Sequence, residues 1–262
     1  MQIWRSARVG LCFVYFGVGG FLLCTLLLPL VRLDARLRVL PADAEALRTQ
    51  RLVHLGCRSF VRCMFGVMRL ARLAWQGEAA LTPGSLLPGP LLVVANHPSL
   101  IDTPLLAAKL PQADFIVSPG WMSIGWMRRT IAAAGYLEAA DGAAVIRGAV
   151  ERLRAGRTVV VYPEGSRTPP EGLRRFQRGA AHIALESGCD ILPVVIRVTP
   201  RALMQGERWT QYPSQNPVWE LVVGEPIHPA DVVGEERGPL AARRLTGVLE
   251  GYFEKRWERG GI

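Results

Sequence analysis

The stretch VVANHPSLIDTPLL, residues 93–106, combines two kinds of secondary structure. Its first residues complete an apolar run, LLVVA (91–95), that is typical of a buried β-strand. Pro98 suits a tight turn or the first position of a helix. We therefore expect a strand–turn–helix unit, with the titratable ring of His97 directly after the strand and Asp102 about one helical turn further on.

The same alternation of apolar runs and helical stretches continues through the chain from about residue 78. We expect further strands at 115–118, 158–163, 192–198 and 219–223, and helices near 102–109, 121–134, 142–155, 176–187 and 239–256. A Pro/Gly-rich connector at 81–90 precedes the first strand, and Asp141 is expected to cap the 142–155 helix. This order predicts an α/β fold with a central mixed, mostly parallel sheet flanked by helices. In such sheets the chemistry lies at the carboxyl ends of the strands.

Length and composition limit the class of protein. The chain has 262 residues, half of them apolar, which is enough for one sizeable domain with a core. The net charge of +9 comes almost entirely from arginine and suits anionic lipid, nucleic acid or an acidic protein. The five cysteines are scattered and follow neither a disulfide framework nor a zinc spacing, which favours a reducing compartment.

The N-terminal segment indicates a membrane. From Val9 to Val31 no residue is charged, and as a helix this run is roughly 35 Å long, enough for a bilayer core of about 30 Å. We expect residues 1–38 to contain a transmembrane helix that stays in the mature chain. A cleaved signal peptide and a buried core helix are the alternatives. The arginines that follow the run favour a cytoplasmic C-terminal side.

The next segment, 39–77, has a basic face. Five arginines are spaced as on one side of a helix: Arg51, Arg58, Arg62, Arg69 and Arg72. We expect an amphipathic helix over 51–75, which either lies in the bilayer interface or packs its apolar side on the domain. The expected organisation is thus an anchor (1–38), an amphipathic segment (39–77) and a catalytic domain (78–262).

His97 and Asp102 are candidates for acid–base chemistry. A neutral imidazole can take a proton from a hydroxyl, and a carboxylate can fix its tautomer. A spacing of five residues does not place the two side chains on one face of a regular helix. They can meet only if His97 lies outside the helix and its ring folds back, and the spacing by itself is weak evidence.

A second set of candidates follows the strand expected at 158–163. Its members are Glu164, Gly165, Ser166 and Arg167. Glycine permits close approach of a ligand, and the arginine fork can bind two phosphate oxygens. The alternative interpretation is a solvated basic loop.

Four motifs together resemble the glycerolipid and lysophospholipid acyltransferases, the family that includes 1-acylglycerol-3-phosphate acyltransferase. The motifs are NHPSLID (96–102), YPEGSRT (162–168), RFQRGAAHIALESG (175–188) and ILPVVI (191–196). The resemblance runs from about residue 90 to 230. It implies that His97 and Asp102 are the catalytic pair and that the Glu164–Arg167 loop binds the acceptor.

The resemblance also implies the reaction and its partners. We expect a membrane-bound O-acyltransferase that moves a fatty acyl group from acyl-ACP or acyl-CoA, as co-substrate, to the hydroxyl of a lysophospholipid. No cofactor, metal or nucleic acid is expected. The expected partners are the lipid acceptor, the acyl thioester and an anionic bilayer surface. The expected location is the inner (cytoplasmic) membrane, single-pass or monotopic, with the catalytic domain in the cytoplasm.

One departure from the family leaves the acceptor open. Where the family has an arginine for the acceptor phosphate, this chain has Asp141. The acceptor is then a specialised lipid, such as an amino-acid lipid, or an ordinary lysophospholipid with Arg128, Arg129 or the 174–178 arginines as the substitute. A thioester hydrolase and a non-catalytic basic membrane protein are the alternatives from other classes.

Overall fold

A seven-stranded sheet forms the centre of the molecule. The structure is a computed structural model that describes residues 2–81, 89–169 and 171–258, so most of the connector expected at 81–90 lies outside the described residues. The strands are β1 (Arg72–Gln76), β2 (Leu92–Ala95), β3 (Ala113–Val117), β4 (Leu137–Glu138), β5 (Thr158–Val161), β6 (Ile191–Thr199) and β7 (Val218–Val223). Their order across the sheet is β1-β7-β6-β2-β5-β3-β4.

The sheet is mixed and mostly parallel, which confirms the predicted fold class. β2 runs parallel to both of its neighbours, β5 and β6, and β3 is parallel to β4 and β5. The β6–β7 pair is antiparallel, and β1 is parallel to β7. The carboxyl ends of β2 and β5 are therefore adjacent, as the two candidate motifs require.

Helices cover both faces of the sheet. They are α1 (Gln2–Leu22), α2 (Leu28–Leu37), α3 (Ala42–Val61), α4 (Asp102–Ala107), α5 (Gly125–Ala134), α6 (Gly142–Arg154), α7 (Gly179–Ser187), α8 (Pro229–Val233) and α9 (Gly238–Glu258). A π-helical turn, Leu23–Leu27, joins α1 to α2, and another, Arg62–Val67, follows α3.

Alternating strand residues divide the core into two layers. Val93 and Val160 point to the face covered by α1, α3 and α4, where Phe60 packs with them in one buried cluster. Leu92 and Val159 point to the other face, which α6, α7 and α9 cover. Both faces of the sheet are thus shielded from water, as a parallel sheet requires.

The basic segment is helical over a shorter range than predicted. The expectation of a helix over 51–75 is wrong for its last part, because helical structure ends at Val67 and β1 begins at Arg72. Arg69 adopts a left-handed φ of 47°, which breaks the helix. The sequence RLAWQ of β1 alternates exposed and half-buried residues and pairs with β7, so the fifth arginine lies on an edge strand.

The N-terminal helix has two different sides. The helical run Ile3–Leu37 is long and apolar enough to cross a membrane by length and composition. One side of α1 is fully buried at Val9 and Cys12 in the same cluster as the sheet. Its other side exposes large apolar residues, Leu11, Val14 and Val18 among them. The helix therefore belongs to the domain core and also offers an apolar surface.

A buried ion pair lies at the amino end of the sheet. Asp114 on β3 is fully buried, and its Oδ1 accepts from Nη2 of Arg157, which precedes β5, at 2.8 Å. Nε of the same guanidinium lies 2.7 Å from Oδ2 as an ion-pair contact without hydrogen-bond geometry. Gln50 of α3 donates to the same carboxylate at 3.1 Å and to the carbonyl of Ala134 at 2.9 Å. This cluster fastens α3 and α5 to the end of the sheet opposite the two motifs.

Candidate active site

The end of β2 is fixed to its neighbour by a side chain. Asn96, fully buried, donates from Nδ2 to the carbonyl of Ile196 at 2.8 Å and accepts the amide of Ile196 on Oδ1 at 2.7 Å. The amide group thus continues the β2–β6 ladder for one more residue. His97 follows at the point where the chain leaves the sheet.

His97 and Asp102 meet as predicted. The distance from Nδ1 to Oδ2 is 3.0 Å, with Asp102 fully buried and the histidine side chain 18% exposed. Asp102 is the first residue of α4, and His97 lies before the turn. Because the carboxylate accepts, Nδ1 carries the proton, and Nε2 keeps its lone pair for a substrate.

An aromatic ring supports the imidazole. The Tyr162 ring stacks on His97 with 4.3 Å between centroids and 20° between planes. Its hydroxyl accepts from Thr103 Oγ1 at 3.1 Å, and burial raises the pKa of Tyr162 far above its usual range. Tyr162 therefore stays neutral and fixes the plane in which the imidazole lies.

Glu164 joins the two motifs instead of facing solvent. The residue is 4% exposed, and its Oε1 accepts the amide of His97 at 3.0 Å and the hydroxyl of Thr168 at 2.5 Å. Oε2 accepts the amide of Arg174 at 3.0 Å. The amide of Thr168 in turn donates to the carbonyl of His97 at 2.7 Å. These contacts make Glu164 a residue that positions the histidine backbone, which differs from the acceptor-binding role expected from the sequence.

Gly165 and Ser166 form the exposed tip of this loop. Gly165 has a φ of 70°, and a Cβ at this position would overlap the side chain of Gln177. The positive φ favours glycine, whereas the flexible end of Gln177 can move aside.

Arg167 lines a cleft of about 440 Å³ between α1 and the segment 203–210. Its Nη1 donates to the carbonyl of Met204 at 3.3 Å. The apolar walls are Phe13 of α1, Leu100, Leu203 and Trp209, and the other charged residues are Glu207 and Arg208. The cleft thus combines a cation with apolar walls, one of them on the N-terminal helix.

Asp141 has a structural task. Its Oδ1 accepts from the amides of Ala143 and Ala144 at 3.0 and 3.3 Å, so it caps α6 as predicted. The arginines expected as substitutes for a cation at this position are all exposed: Arg128, Arg129, Arg174, Arg175 and Arg178. Among the described residues, the cations that line the cleft are Arg167 and Arg208.

Several contacts of the site were not predicted from the sequence. Tyr162, Ser99 and Thr168 lie inside the recognised motifs, so the sequence could have been used to predict that they are part of the site. Trp219 lies on β7, and its indole reaches Ser99 across 120 residues of sequence. In residues 2–81, 89–169 and 171–258, no group of three or more His, Cys, Asp or Glu side chains could hold a metal ion.

With this geometry established, the profile of the family described as Acyltransferase matches residues 77–197, a range that contains both motifs. The matched range, 121 of the 262 residues, is similar to that family, which agrees with the resemblance carried by the four motifs.

Two relatives of this chain come from Pseudomonas aeruginosa. A lyso-ornithine lipid O-acyltransferase is 34% identical over 113 residues, which are 41% of this chain and 43% of that protein. A 1-acyl-sn-glycerol-3-phosphate acyltransferase is 28% identical over 105 residues, 40% of this chain and 37% of that protein. The chain therefore spans less than half the length of the curated relatives it matches.

A solved structure shares the acyltransferase fold over its whole length. The 1-acyl-sn-glycerophosphate acyltransferase PlsC from Thermotoga maritima matches with a TM-score of 0.69 at 24% identity. The match covers 98% of this chain and 99% of that one. It extends the agreement in fold beyond residues 77–197 to the helices that precede β1.

Proposed function

We propose that this chain is a membrane-bound O-acyltransferase that moves a fatty acyl group from acyl-ACP or acyl-CoA to the free hydroxyl of a lysophospholipid such as 1-acylglycerol-3-phosphate. The observation that carries the proposal is the His97–Asp102 pair. Its Nδ1–Oδ2 distance is 3.0 Å. Two hydrogen bonds from the loop that contains Glu164 hold the His97 backbone: Glu164 accepts its amide, and Thr168 donates to its carbonyl.

The proposed step needs one base and no covalent enzyme intermediate. Nε2 of His97 takes the proton of the acceptor hydroxyl while the oxygen attacks the thioester carbonyl. Asp102 stabilises the resulting imidazolium. When the tetrahedral intermediate collapses, the carbon–sulfur bond breaks and the thiolate takes the proton from His97. The products are an ester and a free thiol, and the base returns to its starting state.

The cleft beside Arg167 is the proposed acceptor site. A lysolipid carries a charged head group on an apolar chain, and the cleft offers Arg167 and Arg208 beside the apolar side chains of Phe13 and Trp209. Because Phe13 belongs to α1, an acceptor can pass from the bilayer into the cleft along apolar surface. Arg167 would bind the head-group anion with its planar fork.

The membrane attachment is proposed to be monotopic, at the cytoplasmic face of the inner membrane. α1 contacts the domain near both of its ends, through Ser6, which donates to the carbonyl of Thr210 at 2.9 Å, and through Gly20, which lies against Trp126. A helix that crossed the bilayer would give up these contacts. The exposed apolar side of α1 would instead lie in the bilayer interface, which supports the monotopic arrangement over the single-pass one.

A second candidate acceptor is an amino-acid lipid. It is favoured by Asp141, which caps α6 where the family has a phosphate-binding arginine, and by the relative whose name specifies lyso-ornithine lipid. The cleft contains Glu207 beside Arg167 and Arg208, and a head group with both a carboxylate and an ammonium would find a partner for each charge.

An assay with labelled acyl thioester tests the proposal. Acyl-ACP and acyl-CoA are supplied separately, with lysophosphatidic acid or lyso-ornithine lipid in mixed micelles. Label in a lipid ester supports the transferase, and the better acceptor decides between the two candidates. Label in free fatty acid alone would show a hydrolase, and label in neither product, with pure folded protein, would refute both activities.

A further inference from the structure

The hydroxyl of Ser99 lies between two partners. Its Oγ is 2.9 Å from Nε1 of Trp219 and 2.5 Å from Oδ1 of Asp102. An indole nitrogen can only donate a hydrogen bond, so Ser99 must accept from Trp219. The single hydrogen of the hydroxyl is thereby directed to the carboxylate.

This arrangement gives Asp102 three donors. Ser99 donates its hydroxyl to Oδ1 and its amide to Oδ2 at 2.6 Å, and His97 Nδ1 lies 3.0 Å from Oδ2. Every one of these contacts brings a hydrogen to the carboxylate. The indole and the hydroxyl thus approach the carboxylate from one side, and the imidazole approaches it from the other.

Trp219 is well placed to act as a fixed donor. The residue is fully buried on β7, where it pairs with Val198 of β6. The Phe65 ring, from the turn after α3, packs edge-on against it with 5.6 Å between centroids. The indole therefore cannot turn away from Ser99 without disturbing the core layer that it shares with Phe65.

We propose that Trp219 is a positioning residue of the acyl-transfer site. Its indole N–H holds the Ser99 hydroxyl against Oδ1 of Asp102 and thereby keeps the carboxylate aligned with Nδ1 of His97. Trp219 acts through Ser99 and contacts no substrate. The inference rests on the acyltransferase activity proposed above for its kinetic consequences, and on geometry alone for the orientation of Asp102.

Trp219→Phe removes the N–H and keeps an aromatic ring. Loss of one hydrogen bond of ordinary strength should lower kcat by about 3- to 10-fold, with KM for both substrates unchanged. Tyr212→Phe is the matched control, since it removes a buried donor to the carbonyl of Leu70 at 3.2 Å outside this chain of bonds. The control should leave kcat within about two-fold of wild type.

A double-mutant cycle separates positioning from packing. In a Ser99→Ala background the indole has no hydroxyl to orient, so Trp219→Phe should change kcat by less than about two-fold. If the two single effects multiply in the double variant, Trp219 acts independently of Ser99 and the proposal is overturned.

A spectroscopic readout does not depend on turnover. Proton NMR should show the Nδ1–H resonance of His97 far downfield in wild type, and the resonance should move upfield in the Trp219 variant because the bond to Asp102 is weakened. Benzothienylalanine at position 219 keeps the shape of the indole without its N–H, so it serves where the phenylalanine variant does not fold. An unchanged resonance in either variant overturns the proposal. Absent transfer in wild type would refute the proposed function and leave this result valid.

Discussion

The two ends of one sheet each hold a fully buried aspartate, and the two sites differ in the chemistry of their partners. At the carboxyl end, Asp102 accepts from an amide, a hydroxyl and an imidazole. At the amino end, Asp114 accepts from the guanidinium of Arg157 and the amide of Gln50. Burial raises the pKa of Asp114, although Arg157 opposes the shift.

The difference shows why only one end can do acid–base chemistry. An imidazole gains and loses a proton near neutral pH, whereas a guanidinium does not lose its proton in a protein. The exposed fractions of the two side chains are similar, 18% for His97 and 13% for Arg157, so the chemistry of the groups separates the two ends. The carboxyl end therefore holds a base that a substrate can reach, and the amino end holds a clamp between helices and sheet.

The largest expected effect comes from removing the base. His97→Ala should lower kcat by about 10²- to 10⁴-fold and leave the melting temperature nearly unchanged, because the ring lies past the strand end and outside the core. His182→Ala, at a half-buried position on α7, is the control and should keep full activity. A kcat of His97→Ala within a few-fold of wild type would show that His97 is not the base.

Glu164 lies at the carboxyl end of the sheet, and we expect it to contribute both to stability and to activity. Glu164→Gln replaces an acceptor oxygen by a donor opposite buried N–H or O–H groups, which costs about 1–3 kcal/mol of unfolding free energy. It should also lower kcat by about 10-fold, because the backbone of His97 loses its partner. Glu171→Gln in the same loop is the control. A change confined to the acceptor KM would instead restore the binding role expected from the sequence.

Arg167 tests the acceptor side of the site. If the acceptor carries a phosphate, Arg167→Ala should raise its KM by about 10-fold, and Arg167→Lys should recover only part of the affinity because a point charge lacks the planar fork. Arg175→Ala, exposed in the same loop and outside the cleft lining, is the control.

Asp141→Arg then tests the choice of acceptor. If the departure from the family selects against lysophosphatidic acid, the added cation should improve use of that lipid relative to the amino-acid lipid by a few-fold. The ratio of kcat/KM for the two acceptors measures this preference. High wild-type activity on lysophosphatidic acid, unchanged in the variant, would refute the specialised acceptor.

The smallest expected effect concerns the membrane surface. Arg58 on α3 is exposed, and Arg58→Gln should weaken binding to anionic vesicles by about five-fold at low salt. High salt should reduce the difference, because the attraction is screened. Arg243→Gln on α9, on the opposite face of the sheet, is the control. An equal loss of vesicle binding for both variants would mean that the net charge of the protein, and not the face of α3, determines the binding.

The sequence predicted the parts of this comparison that depend on local pattern. Apolar runs located β2 and β5, and motif spacing located His97, Asp102 and the Glu164 loop at their carboxyl ends. The helical spacing of the arginines led to a wrong prediction for β1. The spacing continues into this strand, but the strand forms because it pairs with β7, which the spacing does not indicate. The inward direction of Glu164 and the bond from Trp219 to Ser99 depend on tertiary packing, which spacing does not encode.

We conclude that one end of the sheet carries activity and the other carries stability. The most direct test is to measure kcat and the melting temperature of Asp102→Asn and Asp114→Asn side by side. We expect Asp102→Asn to lower kcat by at least about 100-fold with a small change in melting temperature. Asp114→Asn should keep kcat within about two-fold and lower the melting temperature by about 10 °C, since Arg157 is left buried without its partner. The reverse pattern, or equal losses of both quantities in both variants, would contradict the account.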